Sequence, residues 1–228
     1  MDIYGLEKMS LVDYCGYVSC VVFTRGCNFR CPFCHNSSLV NGVAPQKIQS
    51  EDFFAFLNKR RGLLDGVCIT GGEPTLNPDL PDFIRKIKEM GLLVKLDTNG
   101  TNPKMLESLI SQNLVDYVAM DIKNGKSFYP KTTGVNLDFA NIEESVALLK
   151  KGKVPFEFRT TLVAELHSEE SIIEMGKLVE NAPLLVLQKF TDNGNCLCGG
   201  LSAVPREVAE KWGEILQDYV KKVEYRYN

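Results

Sequence analysis

The chain is predicted to be an α/β protein built on parallel strands. Short runs of β-branched and apolar residues alternate with stretches of helical periodicity. Six such strand–helix units follow one another, and each right-handed crossover would cover the sheet with its helix. Polar, charged or glycine-rich residues gather where the strand-like runs end, the edge at which α/β proteins bind ligands.

The elements follow in order. Residues 17–24, YVSCVVFT, read as the first strand. Residues 51–61 read as a helix, with Ser50 as N-cap and Gly62 as its stop. Residues 66–70 form the second strand; Asn77-Pro78 opens a helix carrying Leu80, Phe83, Ile84 and Ile87, closed by Gly91. Residues 92–97 are the third strand, Asn102-Pro103 opens the next helix, and residues 116–121 are the fourth strand. Asn141 and Glu144 have capping-box spacing, before a helix that runs to Gly152. Residues 155–163 are the fifth strand, followed by a helix capped by Ser168 with Ile172, Met175, Gly176 and Val179 on one face. Residues 184–190 are the sixth strand; Pro205 opens a last helix striped by Val208, Trp212, Ile215 and Tyr219. Residues 222–227 suit a short final strand.

Strands that are short and mostly apolar fit a sheet buried on both faces. An open doubly wound sheet and a full or partial (β/α) barrel both satisfy the alternation. The expected organisation is one domain over residues 1–228, with an N-terminal extension at 1–16. At 228 residues, 44% apolar and 24% charged, the composition is that of an ordinary soluble globular protein. No apolar run reaches membrane-spanning length, and the N-terminus lacks the basic and apolar regions of a signal peptide. A cytoplasmic location is expected, with no membrane partner. The net charge of −3 argues against a broad nucleic-acid surface.

There are eight cysteines, and a disulfide framework is a weak reading for a cytosolic chain. Three of them, Cys27, Cys31 and Cys34, stand in C-x3-C-x2-C spacing after the first strand. A structural zinc site takes four protein ligands, and His35 is poorly placed to complete this one. A cubane iron–sulfur cluster also normally takes four thiolates, so three leave one iron with an open position. A zinc knuckle or free thiols are the bland alternatives. GGEPT (71–75) follows the second strand, DTNG (97–100) the third, and MDIK (120–123) ends the fourth. Arg159 lies in the C-terminal half of strand five and Gln188 near the end of strand six.

Cys27-x3-Cys31-x2-Cys34 together with Gly71-Gly72-Glu73-Pro74 is similar to the signature of the radical S-adenosylmethionine (SAM) superfamily. The resemblance covers the whole chain and implies a partial (β/α)6 barrel of the TIM-like kind. It implies two cofactors, one 4Fe–4S cluster on Cys27, Cys31 and Cys34, and SAM chelated at the open iron. An electron from the reduced cluster would cleave SAM to methionine and a 5′-deoxyadenosyl radical, which takes a hydrogen atom from the substrate. The protein's share is binding, orientation and exclusion of side reactions.

The companion residues then acquire expected roles. Gly71 and Gly72 allow close backbone approach, Glu73 can meet the SAM ammonium, and Pro74 stiffens the turn. The family places an aromatic at Phe33, near the adenine. Asp97, with Thr98 and Asn99 beside it, suits the ribose or amine. Asp121 and Lys123 alternate along strand four and can point to one side, Asp121 as a counter-charge and Lys123 toward a carboxylate. Arg159 is expected near the SAM carboxylate and Gln188 among the other contacts; Lys123 and Arg159 are candidate positioning groups. The resemblance also implies a monovalent cation at Asp97, Thr98 and Asp121. A buried ion-pair network is the competing reading of Asp121, Lys123 and Arg159.

The ending Cys34-His35-Asn36, with DTNG and MDIK, resembles the glycyl-radical-enzyme activases. Within them the chain looks most like the longer activating proteins of anaerobic ribonucleoside-triphosphate reductase. That implies a glycyl radical enzyme as partner and a flavodoxin or ferredoxin as electron donor. Cys15 departs from that pattern, where proline is common, and no further run of cysteines follows Cys34. Activation of pyruvate formate-lyase, a radical SAM enzyme on a small molecule, and a non-enzymatic zinc module are the alternatives. Cys20 and Cys68 read as small core residues. Cys196 and Cys198, in a glycine-rich loop, suit a partner-facing loop or a second metal site. His167 is given no catalytic role.

Overall fold

The computed structural model describes residues 1–41 and 46–227. Its strands are β1 (Ile3–Ser10), β2 (Ser19–Thr24), β3 (Gly66–Gly71), β4 (Leu93–Thr98), β5 (Tyr117–Asp121), β6 (Phe156–Leu162), β7 (Leu185–Lys189) and β8 (Val223–Arg226). Its helices are α1 (Ser37–Val40), α2 (Ser50–Lys59), α3 (Leu80–Glu89), α4 (Pro103–Ser111), α5 (Tyr129–Thr133), α6 (Ala140–Lys150), α7 (Glu169–Leu178) and α8 (Arg206–Gln217). The fold is α/β, and all six expected strands and their helices are present. They fall into two compact units, one of Met1–Asn28, Ser38–Thr98 and Lys104–Val118, the other of Phe29–Ser37, Asn99–Pro103 and Ala119–Asn228.

In the first unit β2, β3 and β4 pair in parallel, with Thr24 beside Gly71 and Cys68 beside Lys95. Val67, Ile69, Val94 and Leu96 are fully buried on these strands, and α3 adds Leu80, Ile84 and Ile87. Every residue from Val94 to Thr98 is buried, as a strand covered on both faces requires. β1 pairs antiparallel with β2, Leu6 against Val22. This strand lies inside the expected N-terminal extension. Its central residues Glu7, Lys8 and Met9 are exposed, so it carries no apolar alternation to betray it.

In the second unit β6, β7 and β8 pair in parallel, with Thr161 beside Gln188 and Gln188 beside Arg226. The expected final strand at 222–227 is therefore β8. Ser168 caps α7 as expected, accepting from Ser171 N, and the Ser171 side chain completes a capping box. Two caps differ from expectation. Asn141 lies inside α6, which has no capping box; Asp138 Oδ1 accepts from Ala140 N at 3.1 Å and meets the free helix-end donor instead. Ser50 is the first residue of α2 and its hydroxyl donates to Met1 O at 3.0 Å. The buried stripe of α8 is Ala209, Trp212, Gly213 and Leu216, one position round from the expected one.

Candidate active site

The GGEP segment is fixed by a backbone-to-backbone fit. Gly71 ends β3 at φ +120°, a region that L side chains avoid. Gly72 N donates to Thr24 O at 2.9 Å and Glu73 N to Gly26 O at 2.8 Å. A Cβ on Gly72 would stand 1.9 Å from Gly26 O. Glycine at 72 is thus required by contact with the residue just before Cys27. Glu73 is 1% exposed. Its Oε1 accepts from Thr75 N at 3.1 Å, Thr75 Oγ1 at 2.5 Å and Thr98 Oγ1 at 2.7 Å. Pro74 opens a single 3-10 turn, which Glu73 caps.

Asp97 is buried at the end of β4 and its charge is met from within the strand. Lys95 Nζ lies 2.5 Å from Asp97 Oδ1, with side chains 5% and 11% exposed. The same ammonium is 3.8 Å from Cys68 Sγ. Cys68 is buried as expected, but it also faces a cation. Sequence reasoning passed over Lys95, although a lysine inside LVKLD, two residues before Asp97, marks a charge on the same strand face. Asn99 Oδ1 accepts from Thr101 N at 3.0 Å and Thr101 Oγ1 at 2.7 Å, closing the turn after the strand.

In the second unit Asp121, Lys123 and Arg159 form one network. Lys123 Nζ donates to Asp121 Oδ2 and Arg159 Nε to Asp121 Oδ1, both at 2.9 Å. Burial opposes ionisation of Asp121, but Arg159 and then Lys123 outweigh it and hold the carboxyl well below its usual range. Burial likewise opposes the Lys123 charge, yet Asp121 and then Cys31 raise its pKa above the usual value. Cys31 is thus a near neighbour of this ammonium. Glu157, on the same strand face as Arg159, is taken by Arg226, which grips it with two bonds of 3.1 and 2.8 Å. Gln188 is half-buried on β7.

His167 has a structural role that the sequence did not show. The ring is 6% exposed. Val163 N donates to its Nδ1 at 3.1 Å, and its Nε2 lies 3.1 Å from Lys123 O. It therefore ties the chain beyond β5 to the end of β6. Tyr129 is also buried, and its hydroxyl accepts from Lys123 N at 3.1 Å.

None of the eight cysteines is in a disulfide. Cys31 is buried and Cys27 and Cys34 are half-buried. Cys34 N donates to Cys31 O at 3.0 Å, making a turn with Phe33 buried inside it. Two outer segments of the second unit brace this loop. Arg30 N donates to Thr133 O at 2.7 Å, and a Cβ on Gly134 would meet Arg30 O at 2.5 Å. Cys198 N donates to Pro32 O at 3.0 Å, so the Cys196–Cys198 loop rests on the CPFC segment. His35 stacks on Phe190 at 5.7 Å. Cys20 is fully buried, its thiol pushed up to about 12 by burial. Among the described residues no three His, Cys, Asp or Glu side chains stand together as a ready metal site.

An α/β fold with thiols, a glycine turn and paired charges at the strand ends has the form of a cofactor-dependent enzyme. A family model described as the radical SAM superfamily matches residues 21–179. The chain belongs to the radical SAM superfamily. A Methanocaldococcus jannaschii protein provisionally named a glycyl-radical enzyme activating enzyme is 36% identical over 195 residues, covering 82% of this chain and 78% of that protein. The pyruvate formate-lyase-activating enzyme of Clostridium pasteurianum is 30% identical over 190 residues, 78% of this chain and 76% of that enzyme. Among solved structures, Streptococcus suis SuiB bound to S-adenosylmethionine aligns with a TM-score of 0.70 at 15% identity, over 91% of this chain and 49% of that one. At that identity the likeness shows the fold alone.

Membership makes the chain an enzyme whose cofactors are SAM and one 4Fe–4S cluster, and the zinc-module reading falls with it. By donor chemistry the residues fit the cluster: Cys27, Cys31 and Cys34 lie within eight positions of the sequence, and the Lys123 ammonium neighbours Cys31. Among the described residues no helix is long and apolar enough to cross a membrane.

Proposed function

We propose that the protein is a glycyl-radical-enzyme activase whose partner is an anaerobic ribonucleoside-triphosphate reductase. The likeness to two activating enzymes over about four-fifths of the chain carries the activase reading. The stretches SLVDY (10–14) and VVFTRGCNFRCPFCHN (21–36) favour the reductase branch. Residues 1–228 act as one radical SAM domain in the cytoplasm, and a flavodoxin or ferredoxin supplies the electron. The family match supports the single domain, since it runs through residues of both compact units.

Cys27, Cys31 and Cys34 hold the cluster. With SAM bound, the cluster supplies a 5′-deoxyadenosyl radical able to remove a hydrogen atom from glycine. The remaining work belongs to the chain. Gly71 and Gly72 keep the backbone before Cys27 in place, and Phe33 shields the loop from water. Glu73, Pro74, Asp97, Thr98, Asn99 and Gln188 line the SAM site from the strand ends. Asp121 fixes the directions of Lys123 and Arg159, which offer positive charge to a carboxylate.

The test mixes the reconstituted protein with SAM, a low-potential reductant and the candidate reductase under anaerobic conditions. A glycyl radical signal by electron paramagnetic resonance, on the reductase and absent without SAM, is the expected result. SAM cleavage with no glycyl signal on the reductase overturns the reductase assignment. The second reading, activation of pyruvate formate-lyase, is favoured by the Clostridium relative, and that partner is the parallel sample.

A further inference from the structure

We propose that the Lys95 ammonium is a built-in cation of the SAM site, supplying the charge that Asp97 holds so that SAM binding needs no added monovalent metal ion. The proposal rests on the reading above that Asp97 belongs to that site.

The strand geometry sets the pair. Residues 95 and 97 share one face of β4, and the two side chains meet at 2.5 Å. Both are nearly removed from water, at 5% and 11% exposure. Each charge meets its counter-charge, which offsets the cost of taking both groups out of water. Together they remain an ion pair. The sequence resemblance implied a monovalent metal ion at Asp97, Thr98 and Asp121. The structure instead sets Thr98 Oγ1 as a donor to Glu73 and fills the place against Asp97 with an ammonium. A lysine ammonium is a compact, strongly hydrated point charge, the property for which such an ion would be recruited. It differs in being tethered.

The ammonium also has capacity to spare. It carries three N–H donors. Among the described residues its partners are Asp97 Oδ1 and Cys68 Sγ, the second a weak acceptor at 3.8 Å. One donor remains for a bound ligand. Cys68 stands beside Lys95 in the β3–β4 register, which fixes the ammonium laterally. A metal ion at this place would be repelled by the ammonium until Lys95 was removed.

The experiment measures SAM binding by the reconstituted holoenzyme in buffers whose monovalent cation is sodium, potassium or choline. Wild type is expected to bind equally in all three. Lys95→Met keeps length and removes charge; it is expected to bind SAM about tenfold or more weakly in choline and to recover in sodium or potassium. Broadening of the 23Na resonance should appear with Lys95→Met and be absent with wild type. Wild-type binding that requires sodium or potassium overturns the proposal, and this arm does not depend on any variant folding. A folded Lys95→Met that shows no response to either ion also overturns it, leaving the pair as a fold element. Lys95→Met/Asp97→Asn, which removes both charges, should lose the ion response; its retention counts against Asp97 as the holder. Because the readout is SAM binding alone, failure to activate a reductase would strike the partner assignment and leave this result intact.

Discussion

Gly72 is pressed so closely on Gly26 that a methyl group on it would lie 1.9 Å from the Gly26 carbonyl oxygen. The opposing atom is backbone, so no side chain can swing away to make room. Two hydrogen bonds, from Gly72 N to Thr24 O and Glu73 N to Gly26 O, hold the strands in that register. Gly72→Ala must therefore displace the backbone that leads into Cys27. The expected cost is about 2 kcal/mol, a Tm lower by about 6 °C. Iron bound on reconstitution should fall as well. Gly199→Ala is the control, because a Cβ there meets open space and that glycine's φ lies outside the left-handed region.

His167 gives the fold an acid-sensitive clamp. Burial is the main influence and pushes its pKa below the ordinary value, against hydrogen bonds with Val163 and Lys123 that pull it up. The unfolded chain takes up this proton near pH 6.5 (about the model-peptide value), while the folded ring resists it. Below that pH the unfolded state binds more protons, so stability rises with pH across this window and falls on acidification. The contribution has a limiting slope of about 1.4 kcal/mol per pH unit. His167→Gln, which can still donate to Lys123 O, should flatten the Tm profile between about pH 5 and 6.5 relative to wild type. An unchanged slope would show that the ring does not stay neutral.

Asp121 is the shared counter-charge of Lys123 and Arg159, and its removal has a predictable sign. Asp121→Asn leaves two cations that are 17% and 12% exposed facing a neutral amide. Loss of one partner from such a pair costs about 3–5 kcal/mol. Thermal unfolding should show this directly, and SAM affinity should fall because the directions of both cations are lost. The same carboxylate has a depressed pKa in the fold. Its stabilisation is therefore present above the unfolded carboxylate value of about 3.9 and lost as pH falls through the lower folded value.

The strands, their helices and the polar segments at the strand ends were legible because each leaves a local mark. A buried parallel strand is a short apolar run, and a ligand edge collects glycine and charge after it. What escaped depended on partners distant in sequence. β1 is an edge strand whose exposed Glu7, Lys8 and Met9 carry no alternation, and only pairing with β2 defines it. His167 looked like a residue before a helix; besides Val163, four residues back, its ring meets Lys123 O, 44 residues back. Gly134 shows its purpose only where it meets Arg30 O. Lys95 was the exception, since its parity with Asp97 was visible and went unread.

The loop that rests on the CPFC segment separates two kinds of cysteine. Cys198 touches Pro32 through its backbone N–H while its side chain is exposed. The Cys196 thiol is pushed up in pKa, mainly by desolvation and then by Asp192, which disfavours the thiolate a metal ligand needs. Cys31, by contrast, is buried with the Lys123 ammonium among its neighbours. Cys196→Ser/Cys198→Ser should therefore reconstitute with the same iron and sulfide per chain as wild type, and with the same cluster absorbance. Cys31→Ser should lose both. Cys198→Pro tests the contact itself, because proline removes the N–H that Pro32 O accepts. That variant should keep its thiol-independent fold, judged by Tm, yet lose its cluster faster on exposure to air. Iron loss by the double serine variant equal to that of Cys31→Ser would make Cys196 or Cys198 a ligand and overturn the separation.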